Sequence, residues 1–125
     1  MHEAALVQGL LRTALRAVED HNARPHARRA GRLTRLTCRL GLLSCVEAET
    51  LRACFELFAE GTPAEGAELV LETAPLDCRC EGCGAHFALE RRHFVCPACG
   101  GERLHFQGGH GLTLMGIDVE AENTP

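Results

Sequence analysis

Two Cys-x-x-Cys pairs, each followed by Gly and separated by twelve residues, constrain this chain more than any other feature. Their cysteines are Cys80, Cys83, Cys96 and Cys99. Two sulfurs separated by two residues can bind one ion across a tight turn, and the glycine that follows tolerates a positive φ. Four thiolates without histidine favour tetrahedral Zn(II) in a closed structural site, whereas four buried free thiols fit this spacing poorly. The pattern therefore predicts a zinc ribbon with these four zinc-binding residues.

The eight cysteines also indicate where the chain works. No apolar run is long enough to span a membrane, and the N-terminal segment lacks the pattern of a signal peptide. We therefore expect a cytoplasmic protein without a membrane partner, in which paired cysteines bind metal before they form disulfides. Cys78 is interpreted as a bystander thiol, with a reserve metal ligand as the alternative. The three remaining cysteines are interpreted as small core residues.

The hydrophobic pattern outside the ribbon alternates between helix and strand. Apolar residues recur every three or four positions over residues 4–20, which predicts a helix. Residues 35–40 show the alternation of a half-buried strand. The segment Ser44-Cys-Val-Glu47 has the form of a capping box, so a second helix is predicted to begin there. Between the first helix and the first strand, the polar residues 21–31 are interpreted as a linker.

Two further strands complete the predicted fold. Residues 68–73 alternate, and so do residues 115–120 after the ribbon. The last strand has no partner within the ribbon, so we expect it to return to the first sheet. The predicted fold class is α+β, with two helices packed on a three-stranded mixed sheet and an inserted zinc-ribbon module that has four cysteine ligands. The predicted domains are an α/β domain of residues 1–75 plus 109–125 and a ribbon domain of residues 76–108.

The charge is unevenly distributed and does not favour a nucleic-acid platform. Residues 1–46 contain eight Arg and three acidic residues, whereas the rest of the chain contains five Arg and fourteen acidic residues. Residues 76–110 contain four of each, and four thiolates around a divalent ion would add negative charge. Phosphate binding needs a net basic surface, so we predict no nucleic-acid partner.

The first three residues, Met1-His2-Glu3, offer a second kind of metal site. The α-amine, the backbone nitrogen of residue 2 and the His2 imidazole can close fused chelate rings on one ion. Loss of the amide proton requires a metal that favours planar nitrogen coordination, which means Ni(II) or Cu(II). Glu3 could add an oxygen. On these residues alone, a simple frayed terminus is the more ordinary interpretation.

The order of motifs over nearly the whole chain resembles the HypA/HybF family of hydrogenase maturation factors. The matching segments are Met1-His2-Glu3, Leu33-x-x-Leu36-x-Cys38-x-Leu40-Gly41, Ser44-Cys-Val-Glu47, Gly61-Thr-x-Ala-Glu-Gly66, Cys78-x-Cys80-x-x-Cys83, Cys96-Pro-x-Cys99 and Gly116-Ile-Asp-Val-Glu120. No single segment is unique, but their order and spacing are specific.

The resemblance implies a nickel metallochaperone and not an enzyme. It implies transient Ni(II) cargo at the N-terminus, with His2 as the principal nickel-binding residue and Met1 and Glu3 as its partners, beside structural Zn(II) in the ribbon. The implied protein partners are a HypB-type GTPase, the [NiFe]-hydrogenase large subunit and, in some organisms, urease accessory proteins. The family gives no role to His93, His105 and His110, which we interpret as solvated or loop residues.

Two other classes remain as alternatives. A zinc-ribbon nucleic-acid-binding or protein-interaction module would account for the basic and aromatic residues of the ribbon. A thiol oxidoreductase would use one Cys-x-x-Cys pair, although two matched pairs with trailing glycines favour metal. The sequence leaves the oligomeric state, monomer or weak dimer, open.

Overall fold

The computed structural model describes residues 3–122, which form two helices and six strands. The elements in chain order are α1 (Glu3–Asn22), β1 (Ala30–Gly41), α2 (Ala48–Ala59), β2 (Glu68–Ala74), β3 (Leu76–Cys80), β4 (His86–Leu89), β5 (Leu104–Gln107) and β6 (Leu112–Ala121). A first sheet has the strand order β2-β1-β6, and a second, the ribbon sheet, has the order β4-β3-β5. The α+β fold with an inserted ribbon is confirmed, as is the return of the last strand to the first sheet.

The chain forms two compact units. The helical unit comprises the residues up to Cys38, Val46–Leu71 and the residues from Thr113 onward. The ribbon unit comprises Arg39–Cys45 and Glu72–Leu112, so it recruits a segment from well before the cysteine pairs. The assignment of nickel binding to residues 1–75 plus 109–125, and of zinc binding to residues 76–108, stays a prediction.

The core of the helical unit follows the predicted apolar stripe of α1. Its buried apolar residues are Val7, Leu10, Leu11, Ala14 and Val18, spaced three or four apart so that they share one face. This helix packs on α2, which buries Leu51 and Phe55. Each fully buried Leu or Phe contributes about 1.5–3 kcal/mol of transfer free energy. Neither helix of residues 3–122 combines the length and apolarity needed to cross a membrane.

The start of α2 differs from the prediction. The helix begins at Ala48, and its N-cap, Glu47, makes no side-chain capping hydrogen bond, so the capping box at Ser44 is wrong. The Ser44 hydroxyl instead accepts the backbone N–H of Gly111 at 2.9 Å. The backbone N–H of Glu47 donates to Oε1 of Glu3 at 3.4 Å, and Glu3 is only 6% exposed. A carboxylate at the start of α1 thus binds the backbone where α2 starts.

The turn between α1 and β1 is an ordered connection. Helix α1 continues two residues into the predicted linker, as far as Asn22, and β1 begins at Ala30. The Asn22 side chain accepts the Ala30 N–H at 2.8 Å and donates to the Ala30 carbonyl at 3.0 Å. One amide side chain therefore closes the connection in both directions, which is a typical use of asparagine at a turn.

The ribbon unit has a small apolar core on one face of its sheet. Leu42, Leu76 and Cys78 are buried, and half-buried Phe87, Leu89, Phe94 and Phe106 pack around them. The rings of Phe94 and Phe106 meet edge to face with their centroids 5.5 Å apart. A core of this size gives a unit of roughly fifty residues little stability, because small domains bury a small fraction of their surface.

Two glycine-containing segments of the ribbon unit touch along their backbones. Gly41 N–H donates to the Gly111 carbonyl at 2.9 Å, and Leu43 N–H donates to the Gly109 carbonyl at 2.7 Å. A Cβ atom at Gly41 would lie 2.3 Å from the Gly109 oxygen, so only glycine fits there. Arg92 adds a further link, with Nε 3.0 Å from the Leu42 carbonyl and an Nη atom 2.6 Å from the Ser44 carbonyl.

Candidate metal centre

The structure brings the four predicted zinc ligands together. The sulfurs of Cys80, Cys83, Cys96 and Cys99 all lie within 4.8 Å of one another. The Sγ atoms are 3.6 Å apart for Cys80 and Cys99 and 3.7 Å apart for Cys83 and Cys96. A tetrahedral zinc with bonds of about 2.3 Å requires sulfurs about 3.8 Å apart. The cluster therefore has the dimensions of a four-thiolate site.

The two cysteine pairs are folded in the same way. In each turn the glycine after the second cysteine donates its N–H to the carbonyl of the first cysteine, at 2.8 Å. These glycines are Gly84 and Gly100, with φ of 78° and 75°. The first cysteine of each pair donates its own N–H at 2.9 Å to a carbonyl five residues later. The positive φ confirms the reason for glycine at both positions, because L side chains are strained there.

Backbone N–H groups favour ionised sulfur at the first cysteine of each pair. The pKa of Cys80 is lowered to about 7, first because the Cys83 N–H donates to its sulfur. The pKa of Cys96 is lowered first by the N–H of Cys99. The Ala85 N–H lowers the pKa of Cys83, but hydrogen bonds with the neighbouring sulfurs and burial together raise it to about 11. Four crowded sulfurs cannot all ionise alone, and a divalent cation removes that conflict.

The chemistry of the donor set fits zinc as a resident structural ion. Cys80 and Cys96 are 0% and 1% exposed, whereas the second cysteine of each pair is exposed. Gly101 N–H donates to the sulfur of Cys99 at 3.4 Å, a contact that sequence reasoning missed although the Gly100-Gly101 doublet signals it. A Cβ atom at Gly101 would lie 3.2 Å from that sulfur, so a bare backbone is favoured. Such donors to sulfur orient ligands and spread thiolate charge.

Cys78 lies outside the sulfur cluster, as the bystander interpretation expects. It is buried in the ribbon core, and its Sγ donates to the Leu76 carbonyl at 3.4 Å. Burial raises its pKa, with the Asp77 carboxylate as a smaller cause, and both effects disfavour the thiolate. Of the three cysteines predicted to be core residues, Cys38 is buried, Cys54 is half-buried and Cys45 is exposed, so the prediction is wrong for Cys45.

Of the three predicted nickel ligands, Glu3 alone belongs to the residues that the structure describes. Met1 and His2 lie outside residues 3–122. Glu3 is the first residue of α1, and its carboxylate accepts the Glu47 N–H. Among the described residues, the four cysteines form the one group of three or more His, Cys, Asp or Glu donors close enough to share an ion. His93, His105 and His110 are exposed and stand apart from that group.

Comparison with known proteins relates this whole arrangement to one family. The sequence model described as "Hydrogenase/urease nickel incorporation, metallochaperone, hypA" matches residues 1–119. The chain is 35% identical to the hydrogenase maturation factor HypA of Azotobacter chroococcum over 120 residues, covering 96% of this chain and all of that protein. It is 32% identical to the maturation factor HybF of Escherichia coli K12, again over 96% of this chain and all of the relative.

A solved structure has the same fold. The solution structure of the nickel metallochaperone HypA from Helicobacter pylori superposes with a TM-score of 0.64, covering 98% of this chain and all of the other, at 19% identity. At that identity the likeness concerns the fold. The sequence matches establish membership, and this chain belongs to the HypA/HybF family of nickel-incorporation metallochaperones that act in hydrogenase maturation.

Proposed function

We propose that this chain carries Ni(II) at its first residues while Zn(II) in the Cys80, Cys83, Cys96 and Cys99 cluster maintains the ribbon. Family membership supports the nickel cargo. The observation that carries the zinc assignment is the sulfur geometry, with Sγ separations of 3.6 and 3.7 Å against about 3.8 Å for ideal tetrahedral zinc. Zinc supplies folding free energy in such closed sites and has no open coordination position for chemistry.

The proposed nickel site uses the α-amine of Met1, the backbone nitrogen and imidazole of His2, and an oxygen of Glu3. Nitrogen donors in a plane select Ni(II) over Zn(II), which prefers a tetrahedron. The hydrogen bond between Glu3 and the Glu47 N–H supports this arrangement, because it anchors the backbone just after the donor atoms. The ligands themselves stay at the chain end, where exchange is fast.

The two sites would differ in how readily they release metal. A carrier must load and release its ion, and donors at a chain terminus can leave one at a time. A four-thiolate cage held by two similarly folded turns releases its ion much more slowly. This difference gives one chain a permanent ion and an exchangeable one. Copper would bind the terminal donors more tightly, so its exclusion would depend on metal availability in the cell.

The partners proposed for this carrier are a HypB-type GTPase and the [NiFe]-hydrogenase large subunit, with urease accessory proteins as further recipients. The family description, which includes both hydrogenase and urease nickel incorporation, supports this set. We also propose that the protein is cytoplasmic and acts by transfer of the ion, without catalysing a reaction.

Co-immunoprecipitation of the untagged, nickel-loaded chain tests the proposed partners. If neither a GTPase nor a hydrogenase precursor is retained, these partners are contradicted.

The arginines on and beside β1 do not add a basic surface for nucleic acid to that of the ribbon. On and beside β1, Arg32, Arg35 and Arg39 each form an ion pair with a glutamate, at 4.0, 3.1 and 3.8 Å. Arg29 pairs with Glu122. Arginines that neutralise carboxylates of the same chain contribute little to phosphate binding.

Nickel titration of the untagged, zinc-loaded chain beside His2→Ala tests the terminal site. We expect His2→Ala to weaken nickel binding at least about tenfold, since it removes one planar donor, while zinc content stays at one per chain. A tag-free His93→Ala variant serves as the matched control and should bind nickel as the unmodified chain does. Equal nickel affinities for all three proteins would exclude His2 as a ligand.

The zinc assignment has its own test. We expect Cys83→Ala to lose zinc and the dispersion of the ribbon-sheet NMR signals, because three thiolates leave the ion open to exchange. Cys45→Ala, which removes an exposed thiol outside the cluster, should keep one zinc per chain. Retention of full zinc and a native melt by Cys83→Ala would refute the four-cysteine site.

A further inference from the structure

A row of donor side chains crosses the exposed face of the ribbon sheet. In the strand register Arg79 on the central strand β3 lies opposite His86 on β4 and opposite His105 on β5. Directly opposed residues project to the same face with Cβ atoms about 5 Å apart. The apolar core lies on the other face, where Cys78 is opposite Phe87 and Phe106. All three row residues are exposed.

The row has no partner within the described chain. No hydrogen bond or ion pair among residues 3–122 engages the side chain of Arg79, His86 or His105. The arginines of β1 behave differently, since Arg35 and Arg39 each have a carboxylate partner. Arg79 therefore keeps its full set of guanidinium donors available, with an imidazole on each side.

These side chains line a cavity of about 100 Å³ that is open to solvent on one side. Its lining residues are Asp77, Cys78, Arg79, His86, His105 and Gln107. One water molecule needs about 10–15 Å³ of such space, so the cavity has room for a ligand of several non-hydrogen atoms. Asp77, His86 and His105 do not bring three ligand atoms close enough together to share an ion, so a metal ion is not the expected occupant.

We propose that the His86–Arg79–His105 row binds a tetrahedral oxyanion, namely phosphate or the phosphate group of an ester. A guanidinium presents a planar fork that matches two oxygens of such an anion. Each imidazole can donate one N–H when neutral, and the Gln107 amide adds further donors at the edge of the cavity. This site is separate from the nickel and zinc sites and does not depend on the proposed function.

The carboxylate of Asp77 should oppose anion binding at the proposed site, which can be tested. It lies on the same face two residues before Arg79, which is about 6.6 Å along the strand, and it lines the same cavity. Its carboxylate repels an anion in the cavity. Replacing it by an isosteric amide should therefore tighten anion binding, whereas loss of the Arg79 charge should weaken it.

The test is a titration of the zinc-loaded full chain with sodium sulfate and with inorganic phosphate, in which the NMR signals of β3, β4 and β5 are monitored. We expect saturable shifts confined to the row, at least about tenfold weaker binding for Arg79→Gln, and tighter binding for Asp77→Asn. Arg91→Gln removes the same charge from an exposed position in the same unit and should leave the affinity within about twofold. Equal weakening by Arg79→Gln and Arg91→Gln, or shifts that never saturate, would overturn the proposal.

Two further arms identify the source of the anion and the role of the imidazoles. ATP that binds more tightly than phosphate indicates an ester ligand, and equal affinity indicates the free anion; both support the site. A His86→Ala/His105→Ala double variant removes both imidazole donors and should bind sulfate at least about threefold more weakly at constant pH. Unchanged sulfate affinity in the double variant would refute the imidazole contacts.

Discussion

Two cysteines with buried sulfurs show how local donors decide what a thiol can do. Cys38 and Cys80 are both 0% exposed. Burial raises the pKa of Cys38 to about 11, because its thiolate has lost water without compensation. The pKa of Cys80 falls to about 7, because the Cys83 N–H and then the Gly82 N–H stabilise its thiolate despite burial. The Cys38 thiol is therefore suited to stay neutral in an apolar core, and the Cys80 thiol is suited to bind a cation as a thiolate.

Cys38 leads to a prediction about alkaline stability. Folding raises the pKa of Cys38. The stabilisation of the folded state by its neutral thiol is therefore complete below the unfolded pKa near 9 and is lost as the pH rises toward about 11. Over that window we expect the unmodified chain to lose about 2 kcal/mol more stability than Cys38→Ala, measured by urea unfolding of zinc-loaded protein. Parallel pH profiles for the two proteins would contradict the burial of this thiol.

The residues of the sulfur cluster were predictable from spacing, and the interpretation of Cys78 as a bystander thiol agrees with the structure, but the structural reason for its exclusion was not predictable. The two Cys-x-x-Cys-Gly segments indicate their own turn geometry, and both turns have the expected positive φ. Cys78 and Cys80 lie two residues apart on one strand, so alternation places them on the same face. What separates them is the end of β3 at Cys80, where the chain turns toward the other three sulfurs of the cluster while Cys78 stays in the core. No local pattern reveals that boundary.

At the scale of elements, periodicity predicted the helices and strands well and their ends less well. The stripe of α1 and the alternation in β1, β2 and β6 depend on neighbours in sequence, which a pattern can read. The predicted start of α2 depended on Ser44, but its hydroxyl accepts the N–H of Gly111, 67 residues away, instead of capping the helix. A hydroxyl with two possible partners cannot be assigned from its local sequence, so the capping box failed.

Glycine substitutions test the packing of these elements. Gly41→Ala would place a Cβ atom 2.3 Å from the Gly109 oxygen, so we expect a loss of about 2 kcal/mol or more in the free energy of unfolding. Gly9→Ala, within α1, meets nothing within 4 Å and should gain about 0.5–1 kcal/mol from helix propensity. Urea unfolding of both variants is the measurement. A neutral Gly41→Ala would mean that the two backbone segments do not touch.

Arg92 provides a second element-scale prediction. Its guanidinium donates to the Leu42 and Ser44 carbonyls, so Arg92→Ala should lower the stability of the ribbon unit by about 1–3 kcal/mol. Hydrogen exchange at Leu43, whose N–H donates to Gly109, should accelerate. The adjacent and exposed Arg91 is the matched control, and Arg91→Ala should change stability by less than about 0.5 kcal/mol. Identical exchange rates in the two variants would show that the Arg92 contacts contribute nothing.

At the scale of the molecule, the two units differ in what holds them together. The helical unit buries Val7, Leu33, Leu36, Leu51 and Phe55, each no more than 1% exposed. The ribbon unit has a much smaller apolar core, and we expect it to depend on an ion bound by its sulfur cluster. In small metal-bound modules the free energy of metal binding is largely folding free energy. The cysteine spacing predicted the sulfur cluster of the ribbon unit, whereas the recruitment of Arg39–Cys45 into that unit depends on distant contacts and was not predictable.

Removal of zinc should therefore unfold one unit selectively. We expect a strong chelator to abolish slow hydrogen exchange in β3, β4 and β5 while α1 and α2 keep their protection. Re-addition of one equivalent of zinc should restore the ribbon signals. Retention of protected ribbon amides in metal-free protein would show that the apolar core suffices, and loss of protection in α1 would show that both units depend on zinc.

The central claim is that one chain holds a permanent zinc and an exchangeable nickel at different places. The most direct measurement compares the zinc and nickel content of the tag-free chain with that of a variant carrying one extra residue before Met1, which shifts the α-amine away from His2. We predict one zinc per chain in both proteins and at least about a hundredfold weaker nickel binding in the extended variant. Undiminished nickel affinity in the extended variant, with zinc unchanged, would contradict the account.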